Sequence, residues 1–178
     1  MRIALVRHGQ TEENFLRKLQ GRSNGKLNEA GIRQCNRLKI QLKDKHFDYC
    51  FMSPLARCVE TAIILIGDRV ETIPDQRLIE RNMGELEGKD LQDYNAYLFW
   101  DYDLNKNDFG VEPLQDVFKR CKDFLKDIKK KYPNGDILIV THGAPYRALR
   151  YLIKKHPLKG KMLDGYIDNC QYEEYEMK

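Results

Sequence analysis

Two histidines, each followed by glycine, are the residues of this sequence best suited to carry chemistry. His8 is preceded by Arg7 and followed by Gly9, and His142 is followed by Gly143. A neutral imidazole can act as a nucleophile or carry a proton near neutral pH. Arginine adds a planar, permanently charged group that matches phosphate oxygens, and glycine lets a ligand approach the backbone closely. These residue types indicate a site that binds phosphate.

Each histidine directly follows a short apolar run. Residues 2–6 predict a buried strand that ends in a polar loop. The continuous run at residues 137–140, bounded by turn residues, is typical of a central parallel strand covered on both faces. Sites in such sheets form beyond the carboxyl ends of the strands. We therefore expect His8 and His142 to meet in one crevice.

The remaining hydrophobic pattern alternates further strands with helices. It predicts strands at residues 48–52, 70–73 and 171–175, and helices that begin near Asn28, at Pro54, at Pro113 and at Pro145. Such elements pack as layers, with right-handed crossovers between parallel strands. The expected fold class is α/β, a three-layer α/β/α sandwich with a mostly parallel central sheet.

Two of these helices carry specific expectations about their ends and faces. Asn28 is a predicted N-cap, and Ser53-Pro54 predicts a capping hydroxyl followed by proline at the first helical position. The core side of the first helix is expected to hold Ile32, Cys35, Leu38 and Leu42. The core side of the second is expected to hold Leu55, Val59, Ala62, Ile63 and Ile66.

An irregular, aromatic stretch separates the third predicted strand from the helix at Pro113. Residues 80–112 contain three glycines and five aromatic side chains between Tyr94 and Tyr102. The stretch is too long for a plain connection. It predicts a cap over the carboxyl ends of the strands, inserted at about residues 89–112 of a single domain that spans residues 1–178. The alternative is a small satellite core.

Composition excludes several other classes of protein. The chain has 178 residues, of which 42% are apolar and 33% charged, with a net charge of +4, as is typical of one globular domain. The five cysteines are scattered, which suits a reducing compartment. With no export signal, no bilayer-length apolar run and no basic stripe interleaved with aromatics, we expect a cytoplasmic protein that binds neither membrane nor nucleic acid. The oligomeric state stays open.

The sequence resembles the histidine phosphatase superfamily, also called phosphoglycerate mutase-like. The family signature, Arg-His-Gly followed by Glu or Gln and by Thr or Ser, is matched by residues 7–11. Further similar blocks follow in the family's order at residues 20–23, 27–31, 53–62, 78–88 and 140–143. Any one block is a weak match, whereas the ordered set is a strong one.

The resemblance implies a covalent mechanism and a set of site residues. His8 is implied to accept the phosphoryl group, and Glu80 to act as the proton donor. The phosphate is implied to be bound by Arg7, Arg57 and His142. Asn14 falls where the family places a phosphate-contacting asparagine, and we expect further neutral donors from Gln20 and from the backbone near Gly21 and Gly143.

Three neighbours of Glu80 have alternative interpretations. Glu85 and Glu87 are rival carboxylates, and we expect them to lie at the surface or to pack within the cap. Arg81 could bind a substrate carboxylate or form a salt bridge. No cofactor or metal is expected, because Arg7 and Arg57 would repel a cation near the histidines.

The expected function is hydrolysis of a small-molecule phosphate monoester. The segment between Gly88 and Gly110 holds two lysines against five aspartates and lacks paired arginines. That acidic balance favours a hydrolase over a phosphoglycerate-type mutase and predicts a neutral or cationic leaving group. The alternatives are the mutase, a phosphate-binding module without catalysis, and a metal-dependent hydrolase with histidine ligands.

Overall fold

A five-stranded sheet forms the centre of the computed structural model, which describes residues 1–177. In chain order its strands are β1 (Arg2–Arg7), β2 (Tyr49–Met52), β3 (Glu71–Pro74), β4 (Asp136–Thr141) and β5 (Tyr172–Glu176). The spatial order is β3-β2-β4-β1-β5, and all neighbours are parallel except β5, which runs antiparallel to β1. The predicted mostly parallel sheet is confirmed.

Helices cover both faces of this sheet. They are α1 (Glu12–Phe15), α2 (Glu29–Gln41), α3 (Ala56–Ile66), α4 (Ala96–Phe99), α5 (Leu114–Lys131) and α6 (Gly143–Ile153). Helices α5 and α6 pack on one face of β1, β2 and β4, and α2 and α3 pack on the other. The arrangement is the expected three-layer α/β/α sandwich.

Helix α3 differs from the prediction in its first residue and in the side chains that it buries. Its N-cap is Leu55 rather than Ser53, so Pro54 lies before the helix. Ile63 is 58% exposed, whereas Arg57 and Cys58 are fully buried. The apolar pattern misplaced this face because it cannot assign a buried position to an arginine. Turning Arg57 inward places its guanidinium at the ends of β2 and β4.

Helix α2 has the predicted N-cap, since the Asn28 side chain accepts a hydrogen bond from the backbone N–H of Gly31. Cys35, Leu38 and Leu42 are buried as expected, but Ile32 is 44% exposed. Ile32 lies in the first turn of the helix, at the edge of the buried stripe, where the apolar pattern extends beyond the contact with α3.

The segment between Glu80 and Glu112 contains the short helix α4 and several single turns of 3₁₀ helix. A small core lies here, formed by Met83, Phe99 and Val111 of the segment together with Leu19 from the loop after α1. Backbone hydrogen bonds connect the segment to the rest of the chain; for example, the N–H of Met162 donates to the carbonyl oxygen of Trp100 over 2.8 Å. The satellite core that was one alternative is therefore present. The description of residues 89–112 as a cap inserted into one domain stays a prediction.

Candidate active site

The carboxyl ends of β1 and β4 open into a cleft of about 550 Å³. His8 follows β1, and the segment after β4 turns directly into α6, whose first residue is Gly143. Tyr94 and Trp100 contribute aromatic walls from the irregular segment. The cleft therefore lies where parallel α/β sheets form their sites.

His8 is held at this cleft in one tautomer. Its side chain is 2% exposed, and its Nδ1 lies 2.7 Å from the carbonyl oxygen of Gly9. Because a carbonyl only accepts hydrogen bonds, Nδ1 carries the proton and Nε2 keeps its lone pair. Burial, followed by the charges of Arg57 and Arg7, holds the pKa of His8 well below its usual value. The ring is therefore a neutral imidazole with a free nucleophilic nitrogen.

The two glycines after the histidines serve different purposes. A Cβ on Gly9 would lie 2.8 Å from Cys35 Sγ and 2.9 Å from the carbonyl oxygen of Gly31. Gly9 therefore lets the loop after β1 lie against α2, rather than clearing space for a ligand as the sequence suggested. A Cβ on Gly143 would instead lie 3.7 Å from Glu80 Oε2, so this glycine does border the cleft.

Arg57 is fully buried and reaches the cleft from the first turn of α3. Its Nε donates to His142 Nδ1 over 3.1 Å, and its terminal nitrogens donate to the carbonyl oxygens of Ser23 and Gly21 over 2.7 and 2.8 Å. A guanidinium has five N–H groups, so two remain for a ligand. Burial lowers the pKa of Arg57, but a guanidinium keeps its charge in proteins.

His142 lies behind Arg57 and is fully buried. Its Nδ1 accepts from Arg57, and its Nε2 lies 2.6 Å from Ser53 Oγ, so Nε2 carries the proton. The rings of His142 and His8 have their centroids 5.1 Å apart, as the strand positions predicted. Both ring nitrogens of His142 are engaged within the protein, and its implied contact with a phosphate oxygen stays a prediction.

Arg7 completes the positive side of the cleft beside His8. One terminal nitrogen donates to the carbonyl oxygen of Ile167 over 2.6 Å, and the guanidinium carbon lies 5.5 Å from the centre of the Tyr166 ring. Its Nε is buried and has no partner within residues 1–177. Arg7 therefore keeps N–H groups that can donate hydrogen bonds to an anion in the cleft.

Glu80 borders the cleft beside the amino end of α6. Its Oε1 accepts from the backbone N–H groups of Arg81 and Ala144 over 2.8 and 3.1 Å. Both contacts fall on one oxygen, which leaves Oε2 directed toward Gly143. The carboxyl group is thus fixed, with one oxygen available to exchange a proton.

The predicted neutral donors are positioned unequally. The Asn14 side chain accepts from Asn169 Nδ2 over 3.0 Å, which orients its own amide nitrogen. Gln20 is engaged on both ends of its amide, with Thr11 at 3.2 Å and Glu13 at 3.2 Å. Both residues border the cleft, as do Gly21 and Gly143.

The rival carboxylates next to Glu80 have other positions. Glu85 is exposed, and Glu87 accepts from the backbone N–H groups of Arg22 and Met83 over 2.8 and 3.3 Å. Glu87 therefore braces the loops around the site. Glu85 lies at the surface as expected, whereas Glu87 is half-buried and packs against loops that precede residue 89.

The lining of the cleft is basic, although the segment at residues 89–112 is acidic in composition. Its cationic lining residues are Arg7, Arg17, Lys18, Arg57, Arg81 and Arg147, against the single carboxylate of Glu80. The aspartates of the irregular segment do not line it: Asp90 pairs with Lys18 at 3.0 Å, and Asp103 accepts from the N–H of Gly160 at 2.9 Å. The number of charged residues in a segment does not show which of their side chains face the cleft.

Three residues at the site were missed or misassigned from the sequence. Asn169 donates to the carbonyl oxygen of His8 and to Asn14, Ser53 contacts His142, and Arg147 enters the cleft from α6. Of these three residues, only Arg147 could have been identified from the sequence. It lies one helical turn after Gly143 and therefore on the same face of α6.

Within residues 1–177, no group of three or more His, Cys, Asp or Glu is placed to hold a metal ion. Over the same residues, no helix combines the length and the apolar character needed to cross a bilayer.

The fold and the cleft define an α/β protein with a basic, histidine-containing site at the carboxyl ends of its strands. The family model of the histidine phosphatase superfamily (branch 1) matches residues 3–178. The chain therefore belongs to that superfamily, as its motifs indicated.

Individual relatives include both phosphatases and mutase-like proteins. Phosphoserine phosphatase 1 of Hydrogenobacter thermophilus is 31% identical over 156 residues, covering 84% of this chain and 74% of the relative. Phosphoglycerate mutase-like protein 4 of Arabidopsis thaliana is 32% identical over 157 residues, covering 83% and 68%. The solved structure of Bacillus stearothermophilus YhfR has a TM-score of 0.89 at 27% identity, covering 99% of this chain and 91% of that one.

Proposed function

We propose that this protein is a phosphomonoester hydrolase that works through a covalent phosphohistidine on His8. The observation that carries the proposal is the hydrogen bond between His8 Nδ1 and the Gly9 carbonyl, which leaves Nε2 unprotonated beside Arg7 and Arg57. A phosphate dianion repels anionic nucleophiles, so a neutral imidazole among cations is suited to attack it.

In the first step, His8 Nε2 forms a bond to phosphorus while the bond from phosphorus to the alcohol oxygen breaks. Arg7 and Arg57 bind the phosphoryl oxygens and stabilise the charge that spreads over them. Glu80 donates its proton to the departing alkoxide. The products of this step are the free alcohol and phosphohistidine, with Glu80 now a carboxylate.

In the second step, water attacks phosphorus and the bond to Nε2 breaks. Glu80 accepts a proton from the water, which restores its acid form, and inorganic phosphate leaves. The two backbone N–H groups on Oε1 hold the carboxyl group in place for both proton transfers. His142 positions Arg57 from behind, through the contact of Nδ1 with Arg57 Nε.

Transfer of the phosphoryl group to a second substrate is the alternative function. The basic lining of the cleft supports it, because a phosphoglycerate-type mutase binds acidic substrates, and one relative is named as mutase-like. Interconversion of 2- and 3-phosphoglycerate in the presence of 2,3-bisphosphoglycerate, faster than release of phosphate, would establish the mutase instead.

The reaction is proposed to need no metal, since Arg7 and Arg57 flank the histidine and repel a divalent cation. Activity should therefore survive EDTA. Loss of activity in EDTA and recovery with a divalent ion would overturn this mechanism. A small-molecule phosphate monoester as substrate and a cytoplasmic location complete the proposal.

The experiment that tests the function is a panel of phosphomonoesters assayed with the wild type and His8→Ala. Phosphate release by the wild type alone supports the proposal, and so does a radioactive phosphoryl label that stays on the wild-type protein in alkali and is lost in acid. Equal activity of the two proteins would reject it. No release above background from any ester would favour a binding module.

A further inference from the structure

Two cysteines that are far apart in the sequence are in contact behind the cleft. Cys35 and Cys170 are separated by 135 positions, yet their sulfur atoms lie 3.4 Å from each other. Cys35 is 0% exposed on the inner face of α2, and Cys170 is 7% exposed in the segment just before β5. Both are free thiols. The proposed mechanism uses neither of them, so the contact calls for its own explanation.

The backbone at Cys170 holds the backbone of His8. The N–H of Cys170 donates to the carbonyl oxygens of Arg7 and His8 over 3.0 and 3.1 Å. The neighbouring side chain of Asn169 donates to the same His8 carbonyl over 3.1 Å and to Asn14 Oδ1 over 3.0 Å, and it lines the cleft. The φ angle of Cys170 is +59°, in a region that residues other than glycine rarely adopt. Residues 169 and 170 therefore support His8 from a strained backbone conformation.

The sulfur of Cys35 is confined on its other sides. It lies 3.7 Å from Thr61 Oγ1, and a Cβ built on Gly9 would lie 2.8 Å from it. Thr61 is itself fixed, because its Oγ1 accepts from the Gly9 N–H over 3.1 Å and donates to the carbonyl oxygen of Arg57 over 2.7 Å. A movement that brings the two sulfurs closer therefore falls mainly on Cys170 and Asn169.

The two thiols differ in reactivity. The S–H of Cys170 donates to Cys35 Sγ, and this hydrogen bond lowers the pKa of Cys35. The same contact, followed by burial, raises the pKa of Cys170. Since the thiolate is the nucleophilic form of cysteine, Cys35 is the residue that reacts first with an oxidant and Cys170 is the residue that resolves the product.

We propose that Cys35 and Cys170 form a reversible disulfide in the presence of a peroxide, and that this bond switches the active site off. A disulfide places its sulfurs about 2.05 Å apart, so they must approach by about 1.4 Å from their present contact. The approach displaces the Cys170 N–H and the Asn169 side chain from the His8 carbonyl. The loss of activity rests on the proposed function, whereas the formation of the disulfide does not.

Hydrogen peroxide balances the reaction and is small enough to be the probe for a buried pair. The Cys35 thiolate attacks a peroxide oxygen, the O–O bond breaks, and a sulfenic acid forms with release of hydroxide, which takes up a proton as water. The Cys170 sulfur then attacks the Cys35 sulfur, the S–O bond breaks, and a second water leaves. The two thiols have lost two protons and two electrons to the peroxide. Dithiothreitol reduces the disulfide and reverses the change.

Peptide mapping tests the bond itself. The reduced protein is treated with hydrogen peroxide, its remaining thiols are blocked in denaturant, and it is digested without reductant. A cross-linked peptide pair containing Cys35 and Cys170 should form and disappear with dithiothreitol. The variant Cys121→Ala is the matched control and should form it equally, since Cys121 is a buried cysteine on the other face of the sheet. Absence of the cross-link in the wild type would overturn the proposal.

Activity on p-nitrophenyl phosphate tests the consequence. Oxidation of the wild type should lower kcat about tenfold or more and dithiothreitol should restore it, because displacement of a catalytic group by about 1 Å can cost about a hundredfold. Cys35→Ala and Cys170→Ala should match the reduced wild type and keep most of their activity in peroxide. A cross-linked wild type that remains fully active would reject the switch, and so would equal inactivation of both variants.

The variant His8→Ala separates this proposal from the proposed function. It retains the backbone carbonyl that Cys170 contacts, so it should form the cross-link although it turns over no ester. Hydrogen exchange gives a readout without catalysis: the Cys170 amide should exchange faster in the cross-linked protein, since its carbonyl partners have moved away. Unchanged exchange would reject the displacement of His8. Activity that survives His8→Ala would instead reject the proposed function alone.

Discussion

The Nε–H of Arg57 donates to Nδ1 of His142 over 3.1 Å, and this hydrogen bond joins helix α3 to the end of strand β4. It fixes the tautomer of His142, so that Nε2 carries a proton and donates to Ser53 Oγ. The three residues form a buried chain behind His8. Their arrangement determines where the Arg57 guanidinium lies in the cleft, and so where it would bind a phosphoryl group in the proposed mechanism.

Ser53→Ala is expected to loosen this chain without touching the cleft. Removal of the hydroxyl leaves His142 Nε2–H buried without a partner, so the ring can move and release Arg57. We expect kcat on p-nitrophenyl phosphate to fall about tenfold, equivalent to ~1.4 kcal/mol of transition-state stabilisation. Ser53→Thr, which retains the hydroxyl, serves as the control. Unchanged kcat in Ser53→Ala would show that the serine does not position His142.

Glu80→Gln tests the proposed role of Glu80 as proton donor. The variant retains an acceptor oxygen for the N–H groups of Arg81 and Ala144 but has no acidic proton. Since p-nitrophenolate leaves without much help and an alkoxide does not, kcat should fall more on an alkyl phosphate, by about a further 10². Glu85→Gln, at an exposed position of the same segment, is the matched control. Similar losses on both esters would mean that another group protonates the leaving oxygen.

The stability of the protein should decrease as the solution becomes acidic below the ordinary histidine range. The pKa values of His8 and His142 are held well below 6.5 in the folded state, mainly by burial. The unfolded chain binds protons on both residues near pH 6.5, whereas the folded protein does not. Their stabilising effect is therefore complete above that pH and is lost as the pH falls toward the folded values.

Each histidine should contribute up to ~1.4 kcal/mol of lost stability per pH unit below about 6.5. The decrease in unfolding free energy between pH 7.5 and 5.5, measured in urea, should be smaller by that amount in His8→Asn. His156→Asn, which replaces an exposed histidine, should behave like the wild type. A wild-type free energy that is constant or rises toward pH 5.5 would contradict the assignment.

Gly9→Ala should mainly lower the stability of the protein, whereas Gly143→Ala should mainly lower its activity. The new methyl group at residue 9 would press on Cys35 and on the backbone of Gly31, which should cost about 1 to 3 kcal/mol of unfolding free energy. At residue 143 the nearest atom, Glu80 Oε2, lies 3.7 Å away, so stability should change less while kcat falls. The opposite ranking of unfolding free energies would refute this distinction.

The meeting of His8 and His142 could be predicted because both follow apolar strands whose carboxyl ends share one edge of the sheet. The helix α5 was also predictable, since its amphipathic pattern directs Leu114, Val117 and Phe118 inward, as observed. These features depend on local periodicity, which the sequence displays directly.

Features that depend on contacts between distant segments could not be predicted in the same way. Arg57 is buried because carbonyl groups of residues 21 and 23 and the ring of His142 satisfy it. Asp90 does not line the cleft, although it pairs with Lys18, which does. An irregular segment has no periodicity from which the direction of its side chains can be predicted. The acidic composition between Gly88 and Gly110 therefore suggested a negatively charged cleft, whereas the lining is positively charged.

The central position of β4 has a consequence for synthesis of the chain. This strand pairs with β1 on one side and β2 on the other, yet it is the fourth of five strands to leave the ribosome. Until residues 136–141 are available, β1 has no parallel neighbour, and His142, which follows them in the chain, has not been made. Such long-range pairing is slow to form, because the chain between the strands must be closed first. Nascent chains that end before β4 therefore hold His8 without a site around it.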